Sequence, residues 1–418
     1  MISKPPGIED IFPDRIDRWN YLAQTAREVF RIHNYREIII PIMEFTEVFS
    51  RGLGDETDIV SKEMFTFEDR GGRSLTLRPE GTASVVRAYV ENGEYNRLSA
   101  CKLFYCGPMF RAERPQKGRL RQFNQFGAEF FGSDNPFYDY EIIALMNQIS
   151  RRVDVGPFTL LINSIGCPEC RKEYLVELTS YYTARQDHLC EDCRRRLTKN
   201  PLRLLDCKNA SCTALKEEAP LLSRFLCAPC GEHHGAVLKY LQRDGIPFHE
   251  DPRLVRGLDY YTKTTFEFVS ENIGGQNAFA AGGRYNSLVE VFGGKATPAV
   301  GFAAGMERML LLLEQKEITV ASLDVYLIHA GDRTLEKALE ILSELRGLGI
   351  SADIDPETKG FKSQFKKADR EKARFVIIIG EDELAANAAQ VKEMKTGEQE
   401  KVVLDHLKSI LTVKIAAY

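Results

Sequence analysis

The spacing of apolar residues changes along the chain, and each change predicts a different element. Apolar positions recur at helical spacing through residues 12–34 and predict a helix that ends there. The run REIIIPIMEF predicts a buried strand broken by Pro41, and a later Pro-Glu-Gly-Thr break precedes a helix that begins at Thr82. KLFYCGPMFRAE and RQFNQFGAEFFG predict two aromatic-rich strands joined as a hairpin by the basic loop 114–120. This order predicts an α+β core, an antiparallel sheet with flanking helices.

The pattern changes again in the second half of the chain. Residues 167–245 switch to short helical pieces rich in cysteine, which is typical of a mostly helical insertion. The sheet-like pattern then returns, and residues 262–268 alternate as a strand should. From residue 323, near-continuous apolar strands alternate with helices and predict a small α/β domain with a largely parallel sheet. We therefore predict a core in two segments, 1–166 and 246–322. The insertion would span 167–245 and the C-terminal domain 323–418.

Composition limits the classes of protein that fit these elements. The 418 residues are 44% hydrophobic and 28% charged, which is normal for a globular protein of two or three folded units. The net charge of -4 is too small for a general nucleic-acid binder, so a polyanion would have to meet local basic patches. No N-terminal signal and no apolar run of the ~18 residues that a membrane span needs are found, so we expect a cytoplasmic protein with no membrane contact.

The basic loop between the two aromatic strands is the first candidate for chemistry. Its charges can receive phosphates from a nucleotide or RNA, although a solvated hairpin tip is the competing interpretation. The loop and its edges carry Glu113 among Arg111, Arg114, Lys117, Arg119 and Arg121. In the strand that follows, Gln125 and Glu129 are four residues apart and therefore share one face. A carboxylate among aromatic residues needs a partner.

Three other segments are ambiguous when each is taken singly. LRPEGT places Glu80 and Thr82 at a strand-to-helix break, which also fits an ordinary helix start. AAGGRYNSL places Arg284 and Tyr285 after paired glycines, where a tight turn is an equal explanation. PAVGFAAGMERMLLLLE has Arg308 in the first turns of a helix, where most arginines are only surface residues.

Taken together and in this order, these segments resemble the histidyl-tRNA synthetases, which are class II aminoacyl-tRNA synthetases. PIMEFTEVF resembles the dimer-forming motif 1, FRAERPQKGRLRQFNQFGAE resembles motif 2, and GFAAGMERMLLLLE resembles motif 3. LVRGLDYYTKTTFEF and AAGGRYNSL resemble the two signatures particular to the histidine enzymes. The resemblance implies a catalytic core in segments 1–166 and 246–322 and an anticodon-binding domain at 323–418. It also implies a homodimer formed through motif 1.

The resemblance implies that ATP, with Mg²⁺, activates L-histidine to histidyl-adenylate before transfer to the histidine tRNA. Arg111 and Arg256 would contact the α-phosphate and the bound histidine, and Arg308 would hold the γ-phosphate; these three are the expected catalytic residues. The remaining ATP contacts would come from Glu113 on the adenine, Phe123 stacked on that ring, and Arg119. Gln116 would meet the acceptor end of the tRNA.

Selection of histidine requires groups for its ammonium and for its two ring nitrogens. By the same resemblance, Glu80, Thr82 and Gln125 surround the amino group. Glu129 and Tyr261 would read the imidazole edge, and Tyr260 and Tyr285 would line the pocket.

The cysteines form a separate pattern. Eight of the ten lie between Cys167 and Cys230, and a disulfide framework is not expected in a cytosolic chain. The CxxC pairs Cys167–Cys170 and Cys190–Cys193 have the spacing of a zinc ribbon and predict one structural zinc site. The other four could supply a second set, namely Cys207, Cys212, Cys227 and Cys230. Buried reduced thiols are the competing interpretation.

The competing function is a noncatalytic, histidine-sensing regulatory paralogue that belongs to the histidine biosynthetic transferase. Such proteins resemble the catalytic core but lack the anticodon domain and have lost signature residues. Arg111, Arg256 and Arg308 are all present here and a full C-terminal domain follows, which favours the enzyme. A noncatalytic RNA-binding protein is disfavoured because it would have no use for Glu129 and Tyr261.

Overall fold

The structure, a computed structural model, describes residues 2–54, 57–97, 99–274, 277–314, 316, 323–357 and 360–416. The chain forms two compact units, Met1–Lys316 and Glu317–Tyr418. The sequence-predicted boundary at residue 322 lies outside the described residues. No helix within the described ranges is both long enough and apolar enough to span a bilayer.

The first unit begins with elements that the apolar pattern predicts well. The helix predicted over 12–34, the helix at Thr82 and the aromatic hairpin are all confirmed. In chain order, the elements are α1 Pro13–Ile32, β1 Arg36–Glu37, β2 Met43–Phe45, α2 Thr46–Leu53, a π-helical turn Ile59–Glu63, β3 Phe65–Glu68, β4 Ser74–Leu77, α3 Thr82–Glu91, α4 Glu94–Arg97, β5 Cys101–Phe110, β6 Gln122–Phe131, α5 Pro136–Val153 and β7 Thr159–Ser164.

The unit continues through the cysteine-rich region and back into the sheet. Its remaining elements are α6 Pro168–Thr183, α7 Glu191–Lys199, α8 Ala210–Lys216, α9 Ala228–Arg243, β8 His249–Glu250, β9 Thr262–Val269, β10 Ala278–Arg284, α10 Leu288–Val291, β11 Ala299–Gly305 and α11 Met306–Leu312, with 3₁₀ turns at Gln186–His188, Pro201–Asp206, Leu222–Phe225 and Glu271–Ile273. The last helix of the cysteine-rich region, α9, packs on α5, and its Val237 and Leu241 join the core of the sheet.

An eight-stranded sheet organises this unit, with the order β1-β5-β6-β11-β10-β9-β7-β8. Its six central strands are antiparallel, and β1 and β8 add parallel edges. Side chains alternate across the sheet, so Phe126, Ala128 and Phe130 of β6 enter one hydrophobic core while Phe131 enters the other. The second core contains Tyr261 and Tyr285, so this face carries the candidate site.

The predicted break of REIIIPIMEF at Pro41 is confirmed, but the prediction that this segment is a buried strand is wrong. The segment contains two short strands, β1 and β2, and the side chain of Ile39 between them is 93% exposed. Pro41 has no backbone N–H to donate to a continuous ladder, which separates the two strands. β2 instead pairs with β4 in a small three-stranded sheet, and Met43 and Phe45 are exposed on it.

Arg284, which the sequence offered as a candidate site residue, holds the sheet to α5. Its guanidinium is fully buried, and its Nε lies 3.1 Å from both carboxylate oxygens of Asp139, which is also fully buried. Its Nη1 donates to the carbonyl of Ser133 at 3.0 Å. Burial acts to raise the pKa of Asp139, but Arg284 and the nearby His233 hold it well below its usual range. Arg284 is therefore a structural residue.

Replacing Asp139 with asparagine (D139N) should lower the free energy of unfolding by about 3–5 kcal/mol, because it removes the buried counter-ion of Arg284 and leaves only the exposed Asp134 beside that charge. Urea unfolding of the full chain, followed by fluorescence, measures the loss. The matched control is D134N, because Asp134 pairs with the same Arg284 at 3.4 Å but its side chain is 45% exposed. That control should cost less than about 1 kcal/mol. Equal losses would contradict the role of the buried pair.

The second unit is a mixed sheet with helices. Its elements are β12 Leu323–His329, α12 Asp332–Gly347, β13 Ala352–Ile354, α13 Phe361–Arg370, β14 Ala373–Ile379, α14 Glu381–Ala385, β15 Ala388–Glu393, β16 Gln399–Val403 and α15 Leu404–Ala416. The strand order is β13-β12-β14-β15-β16, and β12 is parallel to both its neighbours, as predicted. The antiparallel hairpin of β15 and β16 was not predicted, since its strands are more polar than the others.

Candidate active site

Glu129 lies at the centre of the candidate site, on β6 of the eight-stranded sheet. The strand pattern turns its side chain to the same face as Gln125, as predicted from their spacing. Gly301 of β11 pairs with Glu129, and a Cβ at this glycine would collide with the carboxylate. A residue without a side chain is therefore needed there so that Glu129 can lie across the sheet.

Two hydroxyl groups hold the Glu129 carboxylate. Thr82, at the start of α3, donates to Oε1 at 2.7 Å, and the phenol of Tyr285 donates to Oε2. Glu129 is fully buried, and this burial raises its pKa to about 8 although the two hydrogen bonds act in the opposite direction. The hydrogen bond from Tyr285 was not predicted, because the sequence analysis assigned this tyrosine only to the lining of the pocket.

Glu80 lies just before α3 and caps the start of that helix. Its carboxylate accepts hydrogen bonds from the backbone N–H of Thr82 at 2.8 Å and of Ala83 at 2.7 Å. The two helical N–H groups fix its orientation and leave it beside Glu129. Burial raises the pKa of Glu80, and these N–H groups and the charge of Arg111 oppose that rise. The helix-start interpretation of the LRPEGT segment is therefore confirmed, and the site interpretation stays a prediction.

Three tyrosines form a wall of the site. The rings of Tyr260 and Tyr261 have centroids 4.6 Å apart, and Tyr260 meets Tyr285 edge-on at 5.5 Å. All three are buried, although Tyr260 and Tyr261 come from the loop before β9 and Tyr285 comes from the end of β10. Tertiary folding thus brings the two histidine-enzyme signatures together.

Four arginines from three separate segments converge beside this wall. Burial lowers the pKa of Arg308 to about 10, and the charges of Arg119, Arg111 and Arg256 act on it in the same direction. A group of positive charges held together in this way attracts anions.

Each of these arginines is held by the fold. Arg308 donates to the carbonyl of Gly118 at 3.2 Å, and Arg119 pairs with Glu113 at 2.6 Å. Arg111 donates to the carbonyl of Pro79 at 3.0 Å, and its guanidinium carbon lies 5.2 Å from the ring centre of Phe123. Burial acts to lower the pKa of Arg256, but Glu267 beside it raises that pKa above its usual value, so Arg256 is permanently charged.

Several buried polar atoms of the site have no hydrogen-bond partner among the described residues. They are Oε1 of Gln125 and the Nε atoms of Arg119 and Arg256. Such atoms are rare in folded proteins because each forfeits its hydration without a replacement bond. Their position among the arginines and Glu129 is consistent with a polar, anionic ligand.

Comparison with known proteins gives the same family as the motifs. The histidyl-tRNA synthetase family model matches residues 7–309, and an anticodon-binding domain model matches residues 324–414. A histidine–tRNA ligase of Halothermothrix orenii is 50% identical over 409 residues, which cover 97% of this chain and 98% of that protein. The chain belongs to the histidyl-tRNA synthetase family. It is therefore an aminoacyl-tRNA synthetase, as the sequence predicts, with the class II core and a C-terminal α/β domain.

Solved structures agree with this membership. The apo histidyl-tRNA synthetase of Staphylococcus aureus is 39% identical, has a TM-score of 0.83 and covers 98% of this chain and 100% of its own. A Bacillus halodurans protein described as an ATP phosphoribosyltransferase regulatory subunit/histidyl-tRNA synthetase has a TM-score of 0.66 at 19% identity, covering 91% of this chain and 98% of its own. At that identity it shows a shared fold and does not favour the regulatory function.

The structure also shows contacts that the sequence did not single out. Tyr105 of β5 pairs with Gly127 on β6, and its ring lies against Gly81 beneath the site. Glu267 of β9 pairs with Arg256, although the sequence analysis predicted only a strand at this position. A polar residue inside an alternating buried strand was the available signal for Glu267. Gln116 lies exposed at the tip of the motif 2 loop.

The prediction of one zinc site from Cys167, Cys170, Cys190 and Cys193 is wrong about which cysteines meet. Cys167 and Cys170 lie with Cys227 and Cys230, and Cys190 and Cys193 lie with Cys207 and Cys212. Spacing identified the pairs correctly, but the path of the chain between them decides which pairs come together.

Proposed function

We propose that this site activates L-histidine with ATP to histidyl-adenylate and then transfers the histidyl group to the histidine tRNA. The observation that carries the proposal is the convergence of Arg111, Arg119, Arg256 and Arg308 beside two buried carboxylates, Glu80 and Glu129. The arginines suit a triphosphate, and the carboxylates suit an ammonium group and an imidazole.

The first step is an in-line displacement. An oxygen of the histidine carboxylate attacks the α-phosphorus, a P–O bond forms, and the bond to the pyrophosphate oxygen breaks. Negative charge grows on the α-phosphate oxygens, where the guanidinium groups of Arg111 and Arg256 stabilise it. Arg308 retains the γ-phosphate, while Phe123 and Glu113 hold the adenine and Arg119 orients Glu113 through their ion pair. ATP arrives with Mg²⁺, which shields its phosphate charge.

Histidine is held so that its carboxylate meets ATP. Glu80 and Gln125 accept hydrogen bonds from the substrate ammonium, and the buried carbonyl oxygen of Gln125 gains the partner that it lacks in the protein. Glu129 accepts a hydrogen bond from a ring nitrogen, and Thr82 and Tyr285 keep the carboxylate in place for it. Tyr260 and Tyr261 close over the ring. An amino acid without ring nitrogens leaves Glu129 unsatisfied, which can cost on the order of 10⁴-fold in selectivity.

The second step needs the tRNA. A terminal ribose hydroxyl attacks the histidyl carbonyl carbon, the ester forms, and AMP leaves with the electron pair of the broken C–O bond. Gln116 at the tip of the motif 2 loop contacts the acceptor end, and the second unit binds the anticodon. The use of these substrates supports a cytoplasmic location.

A histidine-dependent ATP–pyrophosphate exchange assay, followed by charging of histidine tRNA, tests the function. We expect exchange with histidine and not with phenylalanine or glutamine, and we expect AMP release to match the histidyl-tRNA formed. A regulatory paralogue would bind histidine without catalysing exchange, so binding in the absence of exchange would overturn the proposal.

We also propose that two copies pair through the motif 1 segment. This surface exposes Ile39, Ile42, Met43 and Phe45, and β2 lies at the edge of its small sheet. A contiguous apolar patch of this kind is unusual on a monomer and typical of an interface.

Replacing Ile39 with glutamate (I39E) should convert the dimer to a monomer, because it places a charge in the desolvated centre of the interface. Light scattering coupled to size exclusion should report a change from twice the mass of one chain to a single mass. V176E is the matched control, because Val176 is 73% exposed on α6, away from this segment. A dimer that survives I39E would refute this interface.

A further inference from the structure

The cysteine-rich region contains two sets of four cysteines whose geometry is that of a metal site. In each set the sulfur atoms all lie within 4.8 Å of one another. We call Cys167, Cys170, Cys227 and Cys230 the outer cluster, and Cys190, Cys193, Cys207 and Cys212 the inner cluster. Histidine activation uses neither cluster.

The sulfur separations fit a tetrahedral ion. Four thiolates about 2.3 Å from a zinc ion are about 3.8 Å from one another. Cys167 lies 3.6 Å from Cys170 and 4.0 Å from Cys227 in the outer cluster. In the inner cluster, Cys190 lies 3.8 Å from Cys207. A disulfide would require about 2.05 Å, and all eight thiols are free.

In both clusters, CxxC cysteines lie at the start of a helix. Cys167, Cys190 and Cys227 each immediately precede a helix, and their CxxC partners lie three residues later, in the first turn. Helix starts stabilise negative sulfur through free N–H groups. In addition, the N–H of Cys227 donates to the sulfur of Cys170 at 3.2 Å, and the N–H of Cys190 donates to that of Cys212 at 3.3 Å.

The approach to the outer cluster also requires a special residue. Gly166 has a φ of 61°, and a Cβ there would lie 2.6 Å from the Cβ of Cys170. Only glycine adopts this conformation while leaving room for the sulfur.

We propose that each cluster binds one structural Zn²⁺ through four thiolates. Four sulfur ligands favour zinc over hard cations such as Mg²⁺, and a closed set of protein ligands leaves no position for a substrate. The outer ion joins the start of α6 to the start of α9 and so closes the cysteine-rich region at its base. The inner ion fastens α7, α8 and the turn between them. Neither ion takes part in adenylation, so this proposal and the proposed function stand independently.

The zinc sites have a consequence for the active site, because residues beside the ligands hold the histidine signature loop. Nδ2 of Asn200 donates to Asp259 at 2.8 Å, and Nε of Arg203 does so at 3.2 Å. Both residues lie between ligands of the inner cluster. Arg171, next to Cys170, donates to the carbonyl of Tyr261 at 3.3 Å. The zinc-bound region therefore positions the loop that carries Tyr260 and Tyr261.

Metal analysis of the full-length protein, purified without chelator, tests the proposal. We expect two zinc ions per chain. The variants C227S and C207S each remove one ligand of one cluster and should each retain one zinc ion. The matched control C106S alters a cysteine outside the clusters, on β5, and should retain two. Zinc-free native protein, or two ions in both ligand variants, would overturn the proposal.

A second measurement on the unaltered chain covers the case in which the variants do not fold. Protein produced in cobalt-supplemented medium should show the charge-transfer and ligand-field absorption of tetrahedral cobalt with four sulfur ligands. Titration of the zinc protein with an organomercurial should release both ions only after about eight thiols per chain have reacted. Cobalt protein without these bands would overturn the proposal, as would release of metal unrelated to thiol modification.

Discussion

Replacing Arg256 with histidine (R256H) should lower kcat of histidine-dependent pyrophosphate exchange by about 10²–10³-fold, the usual effect of losing one group that stabilises transition-state charge. Arg256 is buried and permanently charged beside Glu267, and its Nε has no partner among the described residues. A histidine side chain is shorter and largely neutral above its ordinary pKa of about 6.5. In R256H the α-phosphate would therefore lack the Arg256 guanidinium in the transition state, when the negative charge on its oxygens increases.

Histidine affinity should respond much less to R256H. We expect its dissociation constant to change by less than about tenfold, because this interaction acts mainly on the transition state. Equilibrium dialysis with histidine, beside the exchange assay, measures the difference. Equal losses in binding and in exchange would mean that Arg256 has a different role.

Two further variants separate chemistry from packing. R256K retains the charge but loses the planar fork, so its activity should lie between those of the native protein and R256H. R253H alters an arginine three residues earlier, whose Nε donates to the carbonyl of Lys216 in the cysteine-rich region at 2.9 Å. This control tests whether the loss of a contact with the cysteine-rich region is enough to reduce catalysis. We expect its exchange rate to stay within about threefold of the native rate.

Replacing Glu129 with glutamine (E129Q) should stabilise the ligand-free protein increasingly as the pH rises. Burial raises the pKa of Glu129 to about 8 from an ordinary 4.5, so the folded chain holds this proton more tightly than the unfolded chain. The stability that Glu129 contributes is complete below about pH 4.5 and is lost as the pH rises through about 8. Glutamine does not titrate, so E129Q keeps the stability that the native protein loses as the pH rises. Above about pH 8 that loss in the free energy of unfolding is on the order of 5 kcal/mol.

Thermal melting of both proteins at pH 5.5 and pH 8.5, without histidine, measures the effect. The melting temperature of E129Q should exceed that of the native protein at the higher pH by several degrees more than at the lower pH. E290Q is the control, because Glu290 is exposed on α10. Its melting temperature should differ from that of the native protein by the same amount at pH 5.5 and at pH 8.5. An E129Q difference that does not depend on pH would contradict a proton held by the buried carboxylate.

The same change should damage histidine selection. The neutral amide can still accept a hydrogen bond, but unlike Glu129 it cannot give up a proton when histidine binds and so cannot supply the charge that strengthens the bond to the imidazole. We expect the KM for histidine in exchange to rise by about 10²-fold with a smaller change in kcat. A fall in kcat alone would assign Glu129 to the chemical step.

The sequence by itself determined most of the elements and indicated which segments carry the candidate site. Alternation in β6 put Gln125 and Glu129 on one face, and the local break after Pro79 placed Glu80 at the start of α3. These outcomes follow from strand period and helix capping, which depend only on neighbouring residues. The motif order then identified the family, which the comparisons confirm.

Only the tertiary structure decided which distant groups meet. Spacing identified each CxxC pair, but Cys167 and Cys227 lie 60 residues apart, and the turns between them determine the outer cluster. Arg284 lies in a site signature, yet the packing of α5 on the sheet gives it Asp139 as its partner. Ile39 is apolar but exposed, because Pro41 interrupts the strand and β2 joins a separate sheet. Sequence period fixes the direction of a side chain, whereas its partner depends on how the elements pack.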